Sequence, residues 1–135
     1  MKASVYHIQI NCSDIKVSSI FYKKLLGYLE YKIIHDGDSI LGMINGLTDF
    51  WLVETGKKYQ NAKFHRKNTG LNHLAFLVSS KDDVEKFTNE FLKPGKVPIL
   101  YDSPKLFPEY TPDYYAVFFE DPDRIKLEVC YHSSA

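Results

Sequence analysis

Two histidines, His7 and His73, each occupy the third position of an alternating polar and apolar run, and two glutamates, Glu54 and Glu128, lie near the ends of later runs. Imidazole nitrogen and carboxylate oxygen are the donors that hold a divalent transition metal such as zinc, nickel, manganese or iron. Two imidazoles with one or two carboxylates leave coordination positions open for a substrate. Any one of these residues taken alone reads as a polar group facing solvent from an antiparallel sheet. The set is more informative, because both histidines fall at the same place in what reads as a repeat. Cys12 and Cys130 are too few and too far apart for a disulfide framework or a cysteine metal knuckle, and they read as small buried apolar residues.

The elements that must position these groups follow from periodicity. Residues 5–11 alternate, with Tyr6, Ile8 and Ile10 on one face and His7, Gln9 and Asn11 on the other. Ser13 or Asp14 then caps a helix whose apolar positions Val17, Ile20, Phe21 and Leu25 recur at helical spacing, with Gly27 as its terminator. Strand-like runs near 28–35, 39–44 and 49–54 follow, separated by Asp36-Gly37-Asp38 and Asn45-Gly46. After the polar, basic stretch 57–68 the order begins again. A strand spans 71–78, and Ser80 with Asp82 and Asp83 opens a helix that buries Val84, Phe87 and Phe91 and ends at Pro94-Gly95. Further strands lie near 97–101, 114–120 and 125–131. Pro104, Pro108 and Pro112 predict an ordered loop between the first two of these. His7 precedes Gly27 by 20 residues and His73 precedes Gly95 by 22, as a duplicated β-α-β-β-β unit requires.

The 135 residues suit one domain, divided into modules near 4–56 and 70–132 with a linker at 57–69. Lys plus Arg and Asp plus Glu both number 17, which argues against a bulk nucleic-acid or anionic-membrane binder, and no apolar run approaches a membrane span. The N-terminus has no apolar signal core, so the expected compartment is the cytoplasm. Phosphate-cradling glycine loops, a Ser-His-Asp order, paired cysteines and a basic-aromatic stripe are all missing, which removes kinase, dinucleotide and nucleic-acid readings.

The runs His7-Ile-Gln-Ile-Asn, Ser18-Ser-Ile-Phe-Tyr-Lys-Lys-Leu-Leu-Gly27-Tyr, Gly70-Leu-Asn-His73-Leu-Ala-Phe and Asp121-Pro-Asp-Arg-Ile-Lys-Leu-Glu128-Val-Cys together resemble the vicinal oxygen chelate superfamily, the glyoxalase/bleomycin resistance/dioxygenase group. The resemblance spans nearly the whole chain. It implies an α+β fold of two paired β-α-β-β-β modules whose mixed sheets curve into a cup with helices outside, and a homodimer. It also implies a divalent metal on His7, His73 and Glu128, with Glu128 and Glu54 as candidate catalytic carboxylates. The fourth ligand position falls on Glu54 or Leu52 in the run Asp49-Phe-Trp-Leu-Val-Glu54. Trp51, Tyr110, Tyr114 and Tyr115 are the candidate substrate-binding rings.

The implied function is a glyoxalase-like isomerase or lyase in which a metal chelates two neighbouring substrate oxygens and stabilises an enediolate. A non-catalytic drug-binding protein and a ring-cleaving dioxygenase are the alternatives. In the 57–68 stretch Lys57, Lys58, Lys63, Arg66 and Lys67 read as a solvated surface, with binding of an anionic substrate tail as the other reading.

Overall fold

The computed structural model describes residues 1–133, which divide into two compact units, one of residues 1–63 and one of the described residues from 64 onward. In unit 1, β1 (His7–Cys12) is followed by α1 (Ile15–Tyr28), β2 (Lys32–Asp36), β3 (Ile40–Ile44) and β4 (Asp49–Glu54). The sheet order is β1-β4-β3-β2, with β1 and β4 parallel and the remaining pairs antiparallel. Asp14 caps α1, its Oδ1 accepting the amides of Lys16 at 2.9 Å and Val17 at 3.3 Å.

The buried stripe of α1 is Ile15, Ser18, Tyr22, Leu25 and Leu26, while Val17 and Ile20, expected inside, are 53% and 58% exposed. Tyr22 decides this. Burying a side chain of its size contributes about 1.5–3 kcal/mol, and its ring stacks on Phe50 of β4 at 4.9 Å. Ser18, small and polar, lets the helix approach on that side. Gly27 lies within the last turn and is not the terminator. Glu30 takes the left-handed conformation, φ 67°, and the Tyr31 amide closes back on the Leu26 carbonyl at 2.8 Å.

Unit 2 repeats the plan: β5 (Leu74–Leu77), α2 (Lys81–Phe87) running into a π turn (Thr88–Leu92), β6 (Ile99–Leu106), β7 (Tyr115–Glu120) and β8 (Lys126–Tyr131). The order is β5-β8-β7-β6, again with the first pair parallel. Ser80 caps α2 by accepting the Asp83 amide at 3.1 Å. β5 is shorter than expected, and His73 stands immediately before it. Pro104 lies inside β6, where a loop was predicted. The strand accommodates it through a register shift between Leu100 and Lys105, so the missing amide falls where pairing with β7 is already broken.

Candidate functional site

Unit 2 brings together a buried carboxylate, an imidazole and a phenol. Glu128 pairs with Ala75 on one side and Phe118 on the other, on the face of the sheet that α2 does not cover. The alternate residue Phe119 meets the ring of Phe87 from α2 at 5.4 Å and so marks the opposite face. Glu128 is 1% exposed. Its Oε1 accepts the Tyr114 hydroxyl at 2.7 Å, and its Oε2 lies 3.1 Å from Nε2 of His73.

The tautomer of His73 follows from its other nitrogen. Nδ1 is 2.8 Å from Oδ1 of Asn72, an atom that only accepts, so Nδ1 carries the proton. The Asn72 amide is oriented by its own nitrogen, which donates to the Arg66 carbonyl at 3.5 Å. A neutral His73 therefore directs the Nε2 lone pair at a carboxylate oxygen. Two lone pairs at 3.1 Å call for a cation between them, either a proton or a metal. Donors about 2.1 Å from one ion and 90–109° apart would stand about 3.0–3.4 Å from each other, so the pair fits a metal.

Electrostatics favour the neutral imidazole. Burial pushes the His73 pKa down, and the charge of Lys126 pushes the same way. Burial raises Glu128, opposed by the Tyr114 hydrogen bond and by Lys126. Tyr114 is raised, chiefly by burial and then by hydrogen bonds to Cys130 and Glu128, so its hydroxyl stays a donor. Burial also raises the Cys130 thiol, consistent with a small inert residue.

In unit 1, His7 lies on the face away from α1, since the alternate residues Ile10 and Cys12 are buried and the Phe50 ring meets the helix. Register identifies the unit 1 counterpart of Glu128. Ala75, two residues after His73, pairs with Glu128, and Gln9, two residues after His7, pairs with Trp51. The equivalent position is thus Trp51, and not Leu52 or Glu54, between which the sequence alone leaves the choice open. Leu52 is fully buried, and both residues follow Phe50 by even steps onto the α1 side. Glu54 Oε1 accepts the Ile15 amide at 3.1 Å, giving it a place at the N-terminus of α1. The Trp51 ring covers Gly42, where an added Cβ would meet it at 2.6 Å, and lies 6.2 Å from His35. Within neither unit do three His, Cys, Asp or Glu side chains gather to hold an ion, among the described residues.

The tyrosines separate by parity. Tyr110 packs against Tyr114 at 5.3 Å and stacks on Phe107 at 5.9 Å, on the Glu128 face. Tyr115 points the other way and donates to Glu85 of α2; this bond and burial push it up to about 12. Arg66 and Arg124 both meet the buried Glu120, at 2.6 and 3.5 Å, which gives the only two arginines a structural partner. Asn72 and Lys126 were not singled out by sequence. Asn72 does precede His73 within the run Gly70-Leu-Asn-His73, the one signal that could have marked it.

Residues 4–129 match the model of the Glyoxalase/Bleomycin resistance protein/Dioxygenase superfamily. The chain belongs to this superfamily. It is 33% identical to the uncharacterized protein YqjT of Bacillus subtilis over 93% of this chain and 96% of that one. A glyoxalase-like protein of Bacillus halodurans superposes with a TM-score of 0.86 at 38% identity, covering 95% of both chains. The superfamily fold is also shared with lactoylglutathione lyase of Agrobacterium tumefaciens, at a TM-score of 0.70 and 14% identity over 96% and 94% of the two chains. Superfamily members commonly use a divalent metal and small-molecule ligands. No helix among the described residues is long and apolar enough to cross a membrane.

Proposed function

We propose that the chain is a metal-dependent enzyme of glyoxalase type, acting on a small molecule with two neighbouring oxygens by isomerase or lyase chemistry. The observation that carries this reading is the apposition of two lone pairs, His73 Nε2 and Glu128 Oε2, at 3.1 Å, with the carboxylate buried and the imidazole open to solvent on one side. His7 is assigned the third ligand from its strand position, equivalent to that of His73. A divalent zinc, nickel, manganese or iron ion bound there would supply Lewis-acid stabilisation of negative charge on a substrate oxygen as a proton leaves the adjacent carbon.

The chain's own residues do the rest. Asn72 keeps the Nε2 lone pair free. Tyr114 fixes one oxygen of Glu128, and the rings of Phe107 and Phe118 exclude water from its side of the sheet. Glu128, raised by burial, is suited to take a proton from carbon and return it. With β2 an edge strand exposed throughout, pairing of two copies is the expected assembly, which light scattering checks.

Anaerobic titration of Zn²⁺, Ni²⁺, Mn²⁺ and Fe²⁺ into metal-free protein tests the reading. Wild type should bind at least one of them tightly, with large losses in His7→Ala, His73→Ala and Glu128→Gln. Equal affinities in all four proteins would end the reading. A non-catalytic binding protein is the second reading, favoured by Trp51 standing where a further carboxylate would be. Thermal shifts with aromatic drugs, without metal-dependent turnover of α-oxoaldehyde–thiol adducts, vicinal diols or catechols, would support it.

A further inference from the structure

Lys126 stands two residues before Glu128 on the same strand and therefore on the same face of the sheet. Its ammonium lies 5.3 Å above the Phe118 ring and 5.5 Å above that of Tyr101. The Phe118 ring in turn meets the His73 imidazole edge to face at 6.1 Å, so the cation is held against the same aromatic surface as the candidate ligands. Tyr101 and its neighbour Asp102 both adopt left-handed φ angles, 63° and 52°, within the interrupted β6 pairing. That unusual conformation brings Tyr101 to the cation.

Ring faces attract an ammonium without neutralising it. The carboxylate across the ladder from Lys126 is Glu120, and both of its oxygens are engaged, by Arg66 at 2.6 Å and Arg124 at 3.5 Å. Among the described residues, no Asp or Glu oxygen forms an ion pair with Lys126. A fixed positive charge beside His73 and Glu128 would by itself oppose binding of a divalent cation there. A ligand bearing negative charge resolves the conflict by lying between the two.

We infer that Lys126 is the anion-recognition residue of this site, and that the substrate carries a carboxylate or a similar negative group beside its chelating oxygens. The inference rests on the metal-site reading above and adds the charge class of the substrate.

The test compares 3,4-dihydroxybenzoate with catechol, which differ by one carboxylate and share the vicinal oxygens. Dissociation constants are measured by calorimetry on the metal-loaded protein and by ligand-observed NMR on the metal-free protein, for wild type, Lys126→Met and Lys126→Arg. Wild type should favour the carboxylate by about five- to tenfold, a preference that weakens with added salt. Lys126→Met should bring the ratio close to one with little change for catechol, and Lys126→Arg should restore it. Metal affinity should be no weaker in Lys126→Met, because a repelling charge is gone. A wild type that does not discriminate, or a ratio unchanged in Lys126→Met, overturns the assignment. If no metal binds to any of the proteins, the metal-site reading fails separately, and the ratio in metal-free protein still decides the role of Lys126.

Discussion

The two units carry the same strand order and the same pairing of their parallel strands, yet the equivalent rows across their helix-free faces differ in kind. In unit 1 the row reads Gln9, Trp51, Gly42, His35, and in unit 2 it reads Ala75, Glu128, Phe118, Leu100. Each row combines one bulky ring with a smaller partner, but the ring has exchanged strands. In unit 1 it lies flat over a glycine, whereas in unit 2 it stands beside a buried carboxylate. The positions opposite the histidines differ as well, with Asp49 beside His7 and Lys126 at the corresponding place in unit 2. A duplicated scaffold has thus been given one surface centred on a tryptophan, the aromatic surface, and one centred on a buried glutamate, the ionisable surface, and chemistry follows the side chains and not the fold.

The largest expected effect is on the ionisable surface. Glu128→Gln should weaken metal binding by at least about 100-fold, since it removes a ligand. The metal-free variant should nevertheless melt higher than wild type at pH 8. The folded pKa of Glu128 is raised, so its contribution to stability is present in acid and is lost as pH rises through the folded value. The glutamine amide also donates to the bare His73 nitrogen. The advantage should shrink as the pH falls toward 4.5, the ordinary value for this group, and melting curves across that range check the sign.

The aromatic surface should break differently. Gly42→Ala places a methyl group 2.6 Å from the Trp51 ring and should cost about 1–3 kcal/mol in denaturant melts. The emission of Trp51, the only tryptophan, should shift, while the His73–Glu128 pair is preserved. Asn72→Ala should weaken metal binding about tenfold by freeing the imidazole tautomer, and Asn72→Asp, which keeps an acceptor for Nδ1, should recover most of the loss. The smallest effect belongs to Glu54→Gln. A side chain serving the α1 N-terminus should cost about 0.5–1 kcal/mol and leave metal affinity unchanged.

Period and turn chemistry made the strand order legible, because a two-residue alternation and a capped helical run are local signals. What failed was what needs a neighbour. Val17 and Ile20 look like core until Tyr22 finds Phe50. Tyr114 and Tyr115 are adjacent and chemically alike, and only strand parity sends one to Glu128 and the other to Glu85. The choice between Leu52 and Glu54 in β4 resolves to Trp51 only through the pairing of Gln9, a long-range register that no local pattern encodes. Asn72 and Lys126 acquire meaning only beside His73 and Glu128. Their types are common, and the information lies in distance.

His73 presents a bare Nε2 to Glu128, poised for a cation. Long-range ¹H–¹⁵N correlation NMR of His73 above pH 7, before and after adding Zn²⁺, tests it most directly. The proton should be found on Nδ1 in metal-free protein, with an Nε2 resonance that moves on adding zinc in wild type and stays fixed in Glu128→Gln. A proton found on Nε2, with neither nitrogen responding to zinc, would contradict it.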